Sequence, residues 1–297
     1  MTRATTAPDP SPDLSPDRAL DPAVARELAD LALAEDLAGG VDVTTLATVP
    51  AERQGLARVV ARADGVVAGL SIAAAVFAER LGSAAGVRTT AVDGARVSAG
   101  QVLLEVSGPT RELLTAERSA LNLLTHLSGV ATLTARWVDA VAGTGAVVRD
   151  TRKTMPGLRA AEKYAVRCGG GANHRMGLHD QALIKDNHVV AAGGVAAAIR
   201  AVRAAYPEIF CEVECDTLDQ VDEAVREGAV LVLLDNMVPD DLRAAVARCA
   251  PAGVRTEASG GLTLSSARAV ALTGVDYLAV GALTHSAPVL DIALDLS

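Results

Sequence analysis

The stretch Arg149–His188 reads R-D-T-R-K-T-M-P-G-L-R-A-A-E-K-Y-A-V-R-C-G-G-G-A-N-H-R-M-G-L-H-D-Q-A-L-I-K-D-N-H. It is flanked by two short apolar runs that end in charge, A-V-V-R-D (146–150) and A-L-I-K-D (182–186). Four more runs of the same kind follow: I-F-C-E-V-E (209–214), V-L-V-L-L-D (230–235), V-R-T-E-A-S (254–259) and Y-L-A-V-G (277–281). Between them lie segments of helical periodicity, at about 157–168, 191–205, 217–227, 239–248 and 264–273. Near-continuous apolar strands alternating with helices predict a parallel sheet covered by helices. Functional groups at successive strand C-termini predict a barrel-type mouth. Six strands fall short of eight. Either the missing pair hides in 121–146 or the barrel is incomplete.

The same stretch concentrates charge. It holds Arg149, Arg152, Lys153, Arg159, Lys163, Arg167, Arg175 and Lys185 against Asp150, Glu162, Asp180 and Asp186, a balance of +4 in a chain whose total is −9. All three lysines of the protein fall here, as do His174, His179 and His188 of its five histidines. Every other basic residue is Arg, so the lysines mark places where a compact, rotatable ammonium is wanted. Cations converging on one mouth require an anion, and a small one suffices. Nucleic acid is not expected, because the acidic balance and the 2% aromatic content supply neither an extended basic surface nor stacking platforms.

Half the residues are hydrophobic, enough for a large core of Ala, Val and Leu. Cys168, Cys211, Cys215 and Cys249 form no C-x-x-C pair, so neither zinc nor a disulfide framework is indicated. No apolar run suggests a membrane span or a signal-peptide core, and a cytoplasmic location is expected. Residues 1–20, with four prolines among Ser and Asp, are expected to be a disordered tail. Residues 22–36 read as a helix with Asp21 as N-cap. Residues 56–70 alternate through A-D-G, a hairpin signal. Residues 71–81 are helical, 86–107 are short strands, and 111–142 form a long helix expected to break near Ser128–Gly129.

Three constellations carry chemistry. In C-E-V-E-C the strand period turns Glu212 and Glu214 to the inner face. Inward carboxylates are costly unless they are paired or bound to metal. Ion pairs with nearby Arg are one reading. Contact with Mg²⁺ or with sugar hydroxyls is the favoured one, because the next strand delivers Asp235 to the same rim. E-A-S-G-G (257–261) and G-A-L-T-H-S (281–286) place small residues at the ends of the late strands, where backbone N–H groups reach a phosphate. Arg152, Lys153, His174, Arg175 and Lys185 supply the cations. Lys185 also admits a Schiff-base reading, since barrel aldolases place such a lysine at a strand end. The surrounding arginines fit anion binding better.

Taken together, T-R-K-T-M-P-G-L-R, C-G-G-G-A-N-H-R, L-I-K-D-N-H, E-V-E, L-D-N-M, E-A-S-G-G and V-G-A-L-T-H-S resemble the quinolinate phosphoribosyltransferases. The resemblance runs from about residue 22 to the C-terminus and includes T-A-E-R-S-A-L-N around Arg118. It implies an N-terminal α/β sandwich domain (21–120, joined by 284–297) and an open-sided α/β barrel (121–283), the type II phosphoribosyltransferase fold. It also implies a homodimer and a Mg²⁺-dependent transfer of phosphoribosyl from phosphoribosyl pyrophosphate to quinolinate with loss of CO₂. By motif, Arg152, His174, Arg175 and Lys185 would hold the quinolinate carboxylates, with Arg118 reaching in from the partner subunit. Lys153, Glu214, Asp235, Ser259, Gly260, Gly261, Gly281, Ala282 and His285 would serve the phosphoribosyl group and its phosphates, with Glu214 and Asp235 at the metal. Lys153, Lys185, Glu214 and Asp235 would be the catalytic set. The chain departs from the family pattern at Met155 and Ala172, and neither removes a charged group.

Overall fold

The computed structural model describes residues 19–82 and 86–297, which fall into two compact units. The proline-rich stretch 1–18 lies outside the described residues. Of the described residues, one unit comprises those from 19 to 135 together with 154–170 and 283–297; the other comprises 136–153 and 171–282.

The first unit opens with α1 (Pro22–Leu37), whose N-cap Asp21 accepts the Ala23 N–H at 2.8 Å, as the sequence predicts. Its sheet contains β1 (Gln54–Ala61), β3 (Gly86–Thr89), β5 (Val102–Pro109) and β12 (Ile292–Leu296), in the order β12-β1-β5-β3 and antiparallel throughout. The C-terminal strand thus pairs with β1, Ala57 opposite Leu296. Burial of Leu103, Leu104 and Val106 from β5, with Val76 and Phe77 from α3 (Leu70–Leu81), forms the core of this unit.

Two sequence expectations are corrected here. A-D-G does not close a hairpin. β2 (Gly65–Val66) pairs with β4 (Arg96–Val97), while β1 pairs with β5 and β12. The turn signal is local, but both strands find partners far along the chain. The long helix α4 (Thr110–Val141) also does not break at Ser128–Gly129. Ser128 Oγ accepts the Ala68 N–H at 3.1 Å, and a Cβ at Gly129 would stand 2.2 Å from Pro288 O. The pair is small because other backbone passes close by.

The second unit contains β6 (Val147–Arg149), β7 (Ala182–Ile184), β8 (Cys211–Cys215), β9 (Leu231–Asp235), β10 (Arg255–Ser259) and β11 (Tyr277–Ala279). They form one parallel sheet in the order β6-β11-β10-β9-β8-β7. β7 to β11 are neighbours in chain order and β6 sits beyond β11, so the order is cyclic with a seam between β6 and β7. The barrel is therefore incomplete, and 110–141 is helix, so it hides no strand. At the seam a single parallel bridge joins Arg149 to Ala172. Ala172 accordingly works through its backbone: its N–H donates to Val148 O and its carbonyl accepts from Asp150 N–H.

The helices expected between the strands are present. That at 191–205 is instead two, α6 (Asp186–Ala192) and α7 (Val195–Ala205), because Gly193 and Gly194 both have positive φ and end the first. α8 (Leu218–Arg226) starts with a reciprocal cap between Thr217 and Gln220, and Gln220 Oε1 also accepts the Asp216 N–H at 2.7 Å. That cap fixes the backbone at the C-terminal end of β8, where the chemistry lies.

Candidate active site

Five of the six strands of the second unit deliver a polar side chain at or just beyond the C-terminal end, and the sixth, β11, leads into small residues. β6 is followed by Asp150, Arg152 and Lys153. Lys185 follows β7, Glu214 lies at the end of β8, Asp235 ends β9 and Ser259 ends β10. Asp235 and Ser259 are register partners. Gly281 and Ala282 follow β11. Two of the residues singled out in the sequence belong to the first unit: Arg118, exposed on α4, and His285, whose Nδ1 lies 2.6 Å from Ser286 Oγ.

The acidic side of the site is made by Glu214, Asp216 and Asp235, whose carboxylate oxygens lie within 4.8 Å of one another. Glu214 is buried, Asp235 half-buried and Asp216 exposed. Lys185 Nζ is ion-paired with Glu214. An all-oxygen set of this kind suits Mg²⁺, which prefers carboxylates and keeps several of its waters. Asp216 is missing from the residues the sequence reading selected. Its signal is the period-two alternation of E-V-E-C-D, which puts Glu212, Glu214 and Asp216 on one parity.

Beside Asp235 the chain turns tightly. Asn236 has φ 54° and donates its N–H to Ser259 O at 2.9 Å. A Cβ on Gly260, whose φ is +86°, would meet Asn236 Oδ1 at 2.2 Å. Gly260 therefore lets the two strand ends approach. Gly261, φ +59°, has open space around it.

The cationic side centres on Arg175 and Arg152. Burial, then the neighbouring Arg152, hold the Arg175 guanidinium below its ordinary pKa. Two guanidiniums close enough to repel define a place for an anion. Beneath them lies a buried polar layer. Arg149 Nη1 donates to Glu257 Oε2 at 2.7 Å and its guanidinium sits 4.7 Å from the centre of the Tyr277 ring. His174 Nε2 lies 2.9 Å from Glu212 Oε2 and 3.4 Å from Glu257 Oε1. Asp150, fully buried, accepts the His174 N–H at 2.8 Å and the Asn173 amide at 2.6 Å. Gln181 Nε2 donates to Glu212 Oε2 at 2.9 Å.

The electrostatics of this layer are opposed in sign. Burial raises the Glu257 pKa, but Arg149 and then His174 outweigh it and hold the carboxyl below its ordinary value. Burial and then Glu257 push Glu212 upward. For His174, burial works against a second proton, while Glu257 and Glu212 outweigh burial and favour it. That proton would sit on Nδ1, yet Nδ1 accepts the Arg175 backbone N–H at 2.7 Å. The hydrogen bond is incompatible with an Nδ1 proton, so the ring is assigned as neutral, protonated at Nε2 and accepting at Nδ1. Arg149 and Gln181 carried no motif signal. Glu257 was visible only as part of a glycine turn.

Family comparison accounts for both units. Residues 42–128 match the quinolinate phosphoribosyl transferase N-terminal domain and residues 130–295 match the C-terminal domain of the same family. The chain belongs to the quinolinate phosphoribosyltransferase family. It is 55% identical over 276 residues to the nicotinate-nucleotide pyrophosphorylase [carboxylating] of Mycobacterium leprae, covering 92% of this chain and 97% of that protein. It is 42% identical to a probable enzyme of the same name from Bacillus subtilis, covering 89% and 90%. Among solved structures, the nicotinate-nucleotide pyrophosphorylase from Francisella tularensis superposes with a TM-score of 0.89 at 36% identity, covering 94% of this chain and 98% of that one.

Proposed function

We propose that this chain transfers the phosphoribosyl group of phosphoribosyl pyrophosphate to quinolinate, giving nicotinate mononucleotide, CO₂ and pyrophosphate in the synthesis of NAD. The observation that carries the reading is the pairing of two sides in one site. Arg152 and Arg175 crowd on one side, and Glu214, Asp216 and Asp235 gather on the other. The reaction needs both. Quinolinate is a dianion to be held, and departure of pyrophosphate leaves positive charge at the ribose carbon.

Arg152, Arg175 and Lys185 take the two carboxylates by charge-assisted hydrogen bonds. His174, expected from the family resemblance among the carboxylate ligands, adjoins Arg175, whose backbone N–H its Nδ1 accepts. Arg118 of a second copy of the chain supplies a further cation, which makes the working species a homodimer. The pyridine nitrogen forms the bond to the ribose carbon as the bond to pyrophosphate breaks. Glu214 and Asp235 stabilise the charge that develops there. The C2 carboxylate then leaves as CO₂. Its bonding electrons pass to the ring carbon, which the pyridinium stabilises and which takes a proton. Lys153, Ser259, Gly260, Gly261, Gly281, Ala282 and His285 serve the phosphates and the ribose. Mg²⁺ would be held by Glu214 and Asp235 with Asp216, and when bound it neutralises pyrophosphate charge.

Lys185 is ion-paired with Glu214, not set in the apolar pocket that a Schiff-base nucleophile wants. No single helix among the described residues is long and apolar enough to cross a membrane. We place the enzyme in the cytoplasm. The test is release of labelled CO₂ from carboxyl-labelled quinolinate. Release must depend on phosphoribosyl pyrophosphate. Release without it, or none with both substrates, overturns the reading.

A further inference from the structure

Four contacts close into a loop around Arg175. Its backbone N–H donates to His174 Nδ1 at 2.7 Å. His174 Nε2 lies 2.9 Å from Glu212 Oε2. The same oxygen accepts from Gln181 Nε2 at 2.9 Å. The Gln181 carbonyl, in turn, accepts from Arg175 Nη1 at 3.0 Å. The chain of contacts thus leaves Arg175 by its backbone and returns to it at its guanidinium. Its other members are buried: Glu212 is 0%, His174 7% and Gln181 8% exposed.

We propose that His174, Gln181 and Glu212 are positioning residues for Arg175, holding its guanidinium in the carboxylate-binding pose before substrate arrives. The proposal rests on the reading of Arg175 as a ligand of the quinolinate carboxylates and adds how that ligand is fixed.

Three physical points support it. First, both ring nitrogens of His174 face neighbouring protein groups, which orients the ring. Nδ1 is taken by the backbone, and Nε2 faces two carboxylates. Second, a free Arg side chain keeps rotamer freedom, which binding must otherwise remove. Tethering one end of the guanidinium to Gln181 removes part of it in advance and leaves the remaining N–H groups for a carboxylate. Third, Arg152 repels Arg175. An untethered guanidinium would swing away, and the loop opposes that. Glu212 is the anchor, because its Oε2 meets both His174 and Gln181.

A double-mutant cycle tests this on the full-length enzyme. Quinolinate affinity is read by ligand-observed NMR, and KM for each substrate is read by CO₂ release. His174→Leu is expected to weaken quinolinate about tenfold, on the scale of one hydrogen bond to a charged group. KM for phosphoribosyl pyrophosphate should stay within about twofold, since the loop closes on Arg175 and on no group assigned to the phosphates. In an Arg175→Ala background the same substitution should add less than about twofold, because its target is gone. His174→Asn places Oδ1 where Nδ1 stood and should recover part of the loss. If His174→Leu does not fold, Gln181→Leu runs the same cycle; it cuts the link to Glu212 but keeps the backbone carbonyl that accepts from Arg175, so a smaller loss of quinolinate affinity, again absent in the Arg175→Ala background, is expected. Full multiplicative losses in the cycle would mean that His174 or Gln181 acts on substrate independently of Arg175, and the proposal fails. A wild-type enzyme with no dependence on phosphoribosyl pyrophosphate would instead remove the functional reading, a result seen before any variant is made.

Discussion

Replacing Glu257 by Gln should destabilise the protein by about 3 kcal/mol, the lower end of the range for breaking a buried ion pair. The structure sets the figure. Glu257 Oε2 and Arg149 Nη1 are 2.7 Å apart, with side chains 0% and 6% exposed. Glutamine keeps the shape and one acceptor but removes the charge. Arg149 cannot shed its proton, because a guanidinium stays charged in proteins even when buried. It is left with Glu212 as a weaker counter-charge, which is why the lower end applies. Thermal unfolding should move down by roughly 6–12 °C. The sign of the pH dependence follows from Glu257. Its folded pKa lies below its ordinary 4.5, so its contribution is present above that value and is lost as pH falls through the folded one. The gap between wild type and variant should therefore be widest near neutrality and shrink in acid. Glu212, with a raised pKa, acts in the opposite direction: its ionisation costs native stability as pH climbs. Adding Arg149→Met to Glu257→Gln should recover stability relative to Glu257→Gln alone, since the uncompensated charge is gone. Unfolding of Glu257→Gln at the wild-type temperature would refute the reasoning, as would an equal gap at pH 7 and pH 4.

Asp235→Asn keeps shape and removes charge, so kcat should fall steeply, by about a hundredfold or more, with poor rescue by added Mg²⁺; near-normal turnover would leave Asp235 a structural role. Gly260→Ala should cut activity strongly, because its Cβ would meet Asn236 at 2.2 Å in a backbone with φ +86°; unchanged kinetics would show that the Asn236 turn is free to move. Mixing Arg118→Ala and Lys185→Ala subunits, each inactive alone, should restore about one quarter of wild-type activity if pairing is random and sites are independent. No recovery despite measured subunit exchange would mean that Arg118 does not act across an interface.

Most of the barrel strands were legible because each is a short apolar run closed by a charged residue, a pattern that no neighbour in space can disguise; 254–259 and 277–281 close instead on Ser and Gly. The residues at their ends were legible for the same reason. What the sequence could not show was set by distant contacts. Ser128 and Gly129 look like a helix break, yet they are small because Ala68 and Pro288 approach them. A-D-G looks like a hairpin, yet β1 waits for a strand more than two hundred residues later. Gln181 follows a loop and matches no motif; only its position between Arg175 and Glu212 gives it a role. His174 was legible as a polar group near the mouth, but not the direction in which its two nitrogens point.

The seam between β6 and β7 bears on how the sequence can vary. Hydrogen-bonded ladders normally lock the length of a connection, because an inserted residue shifts register and turns every side chain over. Across the seam the only ladder contact among the described residues is the bridge from Arg149 to Ala172. A length change between Gly157 and Cys168 therefore leaves all six strands in register. The same change between Ala172 and Lys185 would displace Arg175 and Gln181 together. The two sides of Ala172 are thus constrained by different structures: before it by the packing of the buried helix at Arg159–Cys168, after it by the placement of Arg175 and Gln181. A series of single-alanine insertions along the segment would read that border as a step in quinolinate affinity.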